Sequence, residues 1–277
     1  MTDVSPIVLN NGVEMPRLGF GVWQVPAEAT RAAVTEALRV GYRSIDTAAA
    51  YRNEAGVGQA IADSGISREE LFVTTKLWNN DQGYDSTLRA FDKSVLALGL
   101  DHVDLYLIHW PLPARDAYID TWRAFEKLQA DGRIRAIGVS NFLPEHLDRL
   151  VNGTQAVPAV NQIEVHPYLQ NRDSVAANER LGIATEAWSP LASGRVLDDP
   201  TVTEIATAHE RTAAQVVLRW HLQKGYVVIP KSVTPARIAQ NFTLFDFVLG
   251  DDDMTAIDTL ERDGRTGPHP ATFNLGA

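Results

Sequence analysis

Apolar residues along this chain follow two alternating spacings. From residue 28 onward, a stretch with apolar positions three and four apart gives way to a turn, then to a short apolar run, and the unit repeats. "EATRAAVTEALRVGY" (28–42) predicts a helix stopped near Gly41, and "RSID" (43–46) the strand after it. Helices predicted on "EAGVGQAIADSG", "STLRAFDKSVLALG" and "AYIDTWRAFEKLQADG" precede strands on "LFVTTK", "VDLYLIH" and "IRAIGVS". The pattern continues with "PEHLDRLV" before "PAVNQIEV", "RDSVAANERLG" before "IATEAWS", and "TAAQVVLRWHLQKG" before "YVVIPKS", and ends in a helix on "TPARIAQNFTLF". An opening strand near "RLGFG" brings the strands to about eight, and regular strand–helix alternation indicates parallel pairing. Closing them gives a (β/α)8 TIM barrel of the α/β class, the size of which is about 250 residues, so 1–277 is expected to be a single domain.

A doubly wound open sheet would need a glycine-rich phosphate loop after its first strand. The nearest approach is "GFGVWQ" (19–24), where the third glycine position is Gln24 and Pro26 follows before any helix begins, so it is set aside. The segment "ERDGRTGPHPATFNLGA" (261–277) lacks periodicity and is expected to lie as a tail over one end of the barrel.

Composition narrows the possibilities further. A chain that is 45% hydrophobic and 22% charged can build a large core, and its net charge of -10 argues against nucleic acid as a partner. The absence of cysteine excludes disulfides, thiolate metal sites and a cysteine nucleophile. "MTDVSPIVLNNG" has no basic region leading into an apolar core, and no apolar run approaches the ~20 residues that span a bilayer. The expectation is a cytoplasmic monomer acting on a small molecule, away from membranes.

In a barrel of this kind the strand ends converge on one rim, where active sites sit. They carry Asp46, Lys76, His109, Ser140 with Asn141, Gln162, Trp188 with Ser189, and Lys231 with Ser232, and Tyr51 lies just beyond Asp46. Singly, each has a structural explanation: a turn-capping acid, a surface lysine, a core histidine, an aromatic plug. Together, a carboxylate, an ammonium, an imidazole and a phenol on successive strand ends suit proton transfer. A phenol with a pKa of about 10 is a poor acid at neutral pH. An ammonium ~4 Å away contributes about 4 kcal/mol at an effective dielectric of ~20, so Lys76 is expected to lower Tyr51 by up to about three units before desolvation takes some back. Asp46 would keep Lys76 protonated, and His109 would orient a carbonyl and share the proton transfer. Such a site needs a hydride for the carbonyl carbon, which no side chain supplies and a nicotinamide does.

Five stretches, "GYRSIDTAAAYRNEAGVG" (41–58), "DLYLIHWP" (104–111), "IRAIGVSNF" (134–142), "AVNQIEVHP" (159–167) and "IPKSVTPARIAQN" (229–241), resemble the aldo-keto reductases in the right order along nearly the whole chain. The prokaryotic group containing the 2,5-diketo-gluconate reductases is the most similar part of that superfamily. The resemblance implies the tetrad Asp46, Tyr51, Lys76 and His109. It implies that Ser140, Asn141 and Gln162 hold the nicotinamide carboxamide, that Trp188 stacks on the ring, and that Ser189, Leu191 and Ser193 follow the pyrophosphate. Lys231, Ser232, Val233, Arg237 and Asn241 would surround the adenosine end. Lys231 and Arg237 at a helix start suit a 2′-phosphate, which favours NADPH. Position 240 is Gln where many relatives place Glu, and position 188 is Trp where many vertebrate members have Tyr. Trp23, Trp78 and Trp110 are candidates to wall a carbonyl substrate's pocket, and His166 reads as structural.

A non-catalytic NADPH-binding or sensing protein of the same fold is the alternative, and an intact tetrad weighs against it. A metal-dependent barrel hydrolase would need clustered ligands, but the 7 histidines include no His-x-His pair, and Lys76 would repel a metal beside Asp46.

Overall fold

The computed structural model describes residues 5–276. Eight parallel strands form the barrel: β3 (Phe20–Gly21), β4 (Ser44–Asp46), β5 (Phe72–Leu77), β6 (Val103–Ile108), β7 (Ile134–Ser140), β8 (Val160–Glu164), β9 (Ala184–Trp188) and β10 (Val227–Val228). They neighbour one another in sequence order, and the ring closes where Gly19 donates its N–H to the Val228 carbonyl at 2.9 Å and Gly21 to that of Pro230 at 3.1 Å. The fold is the TIM barrel that the alternation predicts.

A short antiparallel hairpin, β1 (Ile7–Val8) and β2 (Glu14–Met15), precedes the barrel. Asn10 and Asn11 donate side-chain hydrogen bonds to the Pro158 and Arg135 carbonyls near the starts of β8 and β7. Leu9 and Met15 join Leu105, Leu107, Ala136 and Val160 in a buried cluster, so the hairpin seals the end opposite the strand exits. Chemistry is thereby confined to the other rim.

The outer layer comprises α1 (Ala27–Val40), α2 (Glu54–Asp63), α3 (Tyr84–Leu98), α4 (Tyr118–Ala130), α5 (Pro144–Gly153), α6 (Arg172–Leu181), α7 (Pro200–Ala208), α8 (Ala213–Gln223), α9 (Pro235–Phe242) and α10 (Asp251–Asp258). Each barrel helix turns its apolar stripe inward; α3, for example, buries Ala90, Phe91, Val95 and Leu98. Gly99 stops that helix in the left-handed region at φ 65, where a side chain would be strained. Helices α7 and α10 are additions to the expected set. Among the described residues no helix is long and apolar enough to cross a membrane.

After α10 the chain crosses the rim of strand exits, as expected of a tail. Glu164 at the end of β8 accepts the Thr266 and Gly267 N–H groups at 2.6 and 3.1 Å. Farther on, Phe273 packs on Trp110 with ring centroids 4.3 Å apart, and Asn79 donates to the Leu275 carbonyl at 2.7 Å.

Candidate active site

Parallel register sets the heights at which polar side chains leave the strands. Asp46 ends β4, and Lys76 stands one residue before the end of the neighbouring β5. Lys76 Nζ donates to Asp46 Oδ1 at 2.6 Å and to the Thr47 carbonyl at 2.9 Å, and both side chains are buried. Tyr51 sits in the 3-10 turn Ala49–Tyr51 that follows β4. That turn brings its half-buried ring over Lys76, with Nζ 5.2 Å from the centroid. His109, just past β6, meets the Tyr51 ring edge-on at 5.7 Å and the Trp78 ring at 5.4 Å. All four members of the expected tetrad are therefore neighbours.

Burial acts to lower the Lys76 pKa, but the charge of Asp46 and the Tyr51 phenol more than reverse it, so the net shift is upward and the ammonium persists. For Tyr51 the balance differs from the sequence expectation. Burial raises its pKa, Lys76 lowers it, Asp46 raises it again, and the result is upward. The expected fall gave too little weight to burial, the largest influence on the phenol, and left out that Asp46, paired with Lys76 at 2.6 Å, opposes the ammonium's field there. Burial and the Lys76 charge together hold His109 well below its usual range, so its ring is neutral. His109 Nδ1 is buried without a hydrogen-bond partner.

A continuous run of hydrogen bonds leads from this group to the expected nicotinamide residues. Gln162 Nε2 donates to Asp46 Oδ2 at 2.8 Å. Ser140 Oγ donates to the Gln162 carbonyl at 2.8 Å and accepts from Asn141 Nδ2 at 3.0 Å. Asn141, in the left-handed region at φ 64, also donates to the His109 carbonyl at 2.9 Å and accepts from Trp188 Nε1 at 2.9 Å. Asparagine tolerates that backbone conformation because its short side chain hydrogen-bonds locally. Trp188 is thus fixed on one edge by Asn141, while on another Gly267 of the tail leaves no room for a Cβ, which would stand 2.5 Å from the ring.

Glu186 belongs to the same cluster and escaped the sequence reading. It is fully buried on β9, opposite Gln162 in register, and its Oε2 accepts from Gln162 Nε2 at 2.7 Å. Burial and the negative charge of Asp46 push its pKa up to about 8, against the opposing effects of Gln162 and Lys76. The available signal was its position two residues before Trp188, which places both on the same face of one strand.

The remaining positions fall in two places. Ser189, Leu191 and Ser193 occupy the loop after β9, where Ser189 and Ser193 adopt left-handed backbone at φ 48 and 54. Lys231, Ser232 and Val233 follow β10, and Arg237 and Asn241 lie on α9. Lys231 and Arg237 are exposed, and neither forms an ion pair among the described residues. Of the tryptophans, Trp78 touches His109, Trp110 is buried under Phe273, and Trp23 is 49% exposed. Among the described residues no group of three or more His, Asp or Glu side chains is disposed to hold a metal ion.

The fold and this rim define a barrel with proton-handling side chains gathered at its strand exits. The chain belongs to the aldo/keto reductase family, whose family model matches residues 17–262. It is 59% identical to an aldo-keto reductase of Mycolicibacterium smegmatis over 98% of this chain and 99% of that one. Identity to the glyoxal reductase of Bacillus subtilis is 53%, with 95% of each chain covered. A crystal structure of a Gox0644 mutant in complex with NADPH superposes with a TM-score of 0.94 at 50% identity, covering 98% of this chain and 99% of that one.

Proposed function

We propose that this protein is an NADPH-dependent reductase that converts aldehydes, ketones or dicarbonyls to alcohols, with Asp46, Tyr51, Lys76 and His109 as its catalytic group. The observation that carries the reading is the buried Lys76–Asp46 pair lying beneath the ring of Tyr51, with a neutral His109 against the same ring.

The residues present fit the cofactor. Gln162 Oε1 takes part in no hydrogen bond among the described residues and remains available to accept from a carboxamide N–H. Two exposed, unpaired cations near the start of α9 suit a phosphate in a chain of net charge -10. Ser140, Asn141 and Gln162 would hold the carboxamide and Trp188 the nicotinamide ring. Ser189, Leu191 and Ser193 would line the pyrophosphate, and Lys231, Ser232, Val233, Arg237 and Asn241 the adenosine end. When bound, NADPH supplies a hydride to the carbonyl carbon.

The protein's own part is to place and move a proton. Tyr51 remains a neutral phenol at physiological pH because its pKa is raised, so the acid form is fully populated. As its proton passes to the carbonyl oxygen, the nascent phenolate gains the attraction of the Lys76 ammonium, which Asp46 holds in place. A neutral His109 offers an N–H to the same oxygen, with the hydrogen assigned to Nε2 since Nδ1 has no acceptor. Trp78, and Trp23 at a neighbouring strand exit, would contribute apolar walls for the substrate, with Trp110 backing them from beneath Phe273. The reading extends to a cytoplasmic protein, with which a cysteine-free composition agrees, and to a monomer, which a sedimentation measurement would test.

Substitution Tyr51→Phe tests the proposal. Turnover, followed as loss of NADPH absorbance with α-dicarbonyls, sugar-derived ketones and aromatic aldehydes, should fall by about 10²–10⁴-fold while the NADPH dissociation constant stays within about twofold. Retention of most activity would remove Tyr51 from the acid role. A wild-type protein that binds NADPH but consumes none with any carbonyl would be a binder instead.

A further inference from the structure

Glu186 is a buried acid to which the mechanism above gives no task. Gln162 Nε2 lies 2.8 Å from Asp46 Oδ2 and 2.7 Å from Glu186 Oε2. Asp46 is held by the Lys76 ammonium, so the Gln162 atom facing it must be the nitrogen; the amide oxygen there would meet a carboxylate. Both amide hydrogens are then committed, one to each acid. The ionisable groups near Glu186 are Asp46 and Lys76, which already pair with each other at 2.6 Å, and the Tyr51 phenol, which is neutral. An ionised Glu186 would leave the cluster with a buried negative charge that has no cation of its own, which is strongly disfavoured.

We propose that Glu186 is a positioning residue for the reductase reaction: an uncharged carboxylic acid that takes the second amide hydrogen of Gln162, so that only the amide oxygen of Gln162 faces a nicotinamide carboxamide. The inference rests on the reductase reading and deepens it. Without Glu186 one amide hydrogen has no acceptor, and the Asp46 hydrogen bond alone holds the amide, so its plane can tilt and its oxygen is aimed less firmly at the carboxamide. Ionisation of Glu186 in alkali would add a negative charge behind Asp46, strengthening the hold of Lys76 and Tyr51 on their protons.

Two variants test this. Glu186→Leu removes the acceptor, and the NADPH dissociation constant, read from quenching of tryptophan fluorescence, should rise about tenfold. Glu186→Gln can present an amide oxygen to the same hydrogen without ionising, and should bind NADPH within about threefold of wild type. A folded Glu186→Leu protein with wild-type affinity would overturn the proposal.

Urea unfolding of the cofactor-free protein supplies a second readout that does not depend on activity and that applies even if the leucine variant fails to fold. In the unfolded chain Glu186 ionises above its usual 4.5, while the folded protein keeps its proton to about pH 8. Wild type therefore loses stability relative to Glu186→Gln as pH rises through that window, and the ratio of their unfolding constants should change at least about tenfold between about pH 5 and about pH 8. A constant ratio would show Glu186 to be charged and sink the inference. Wild type that neither binds NADPH nor reduces carbonyls would sink the reductase reading itself, whereas active wild type with indistinguishable variants would sink only the role of Glu186.

Discussion

At the scale of single residues, the site depends on one buried ion pair whose worth lies in what happens when it is broken. Lys76 and Asp46 have side chains 0% and 4% exposed, so neither charge can be rescued by water. Substituting Lys76→Met leaves Asp46 as an uncompensated buried carboxylate, and a loss of about 3–5 kcal/mol in unfolding free energy is expected. Substituting Lys76→Met together with Asp46→Asn removes both charges and should recover most of that loss, with the coupling read from a double-mutant cycle by urea denaturation. Additive effects of the two substitutions would contradict the pairing. Activity should be lost in all three variants, since each leaves the Tyr51 phenolate without an adequately held cation.

At the scale of elements, the tail and the strand exits act as one unit. The Glu164 carboxylate takes hydrogen bonds from Thr266 and Gly267, and Gly267 rests against Trp188 at a distance that excludes a methyl group. Gly267→Ala should push the indole away from Asn141, cost about 1–3 kcal/mol by overpacking, and weaken NADPH binding through Trp188. An alanine variant with unchanged stability and affinity would show that the tail does not fix the ring. The barrel itself was legible in the chain because eight strands and their helices carry periodicities of distinct length. Helix α7 was not, although Asp199 caps it by accepting the Thr201 N–H at 2.9 Å and Pro200 opens it; "DPTVTEIATA" is too short and too weakly striped to stand out. Helix α10 begins on three aspartates and buries only Ile257, so its apolar period is equally faint. The four residues of the proposed tetrad could be picked out because each stands next to, at or just beyond a strand end. Glu186 was not, because a residue inside a strand reads as core until the opposing register brings Gln162 beside it.

At the scale of the whole molecule, charge is unevenly used. The chain carries 35 acids against 25 lysines and arginines, and many of the exposed basic residues are tied to acids, as in Arg31–Asp63, Arg180–Asp148 and Arg133–Asp92. Lys231 and Arg237, like Arg52, Arg89, Lys93 and Arg195, are exposed with no acidic partner among the described residues, but these two lie together beside the β10 exit. Their place at that exit is the ground on which we propose them as the seat of an anion from outside, and the feature that separates NADPH from NADH is the extra phosphate. If these two residues receive it, Lys231→Met and Arg237→Met should each lower the NADPH-to-NADH ratio of kcat/KM by about tenfold, since a charge-assisted hydrogen bond contributes about 1.5 kcal/mol or more. The rate with NADH should change little, because its ribose presents no charge at that point. The effect should shrink with added salt, given a screening length of about 8 Å at physiological ionic strength. Equal losses with both cofactors would mean instead that the two cations support the shared part of the dinucleotide, and the preference for the phosphorylated form would have to arise elsewhere on the rim.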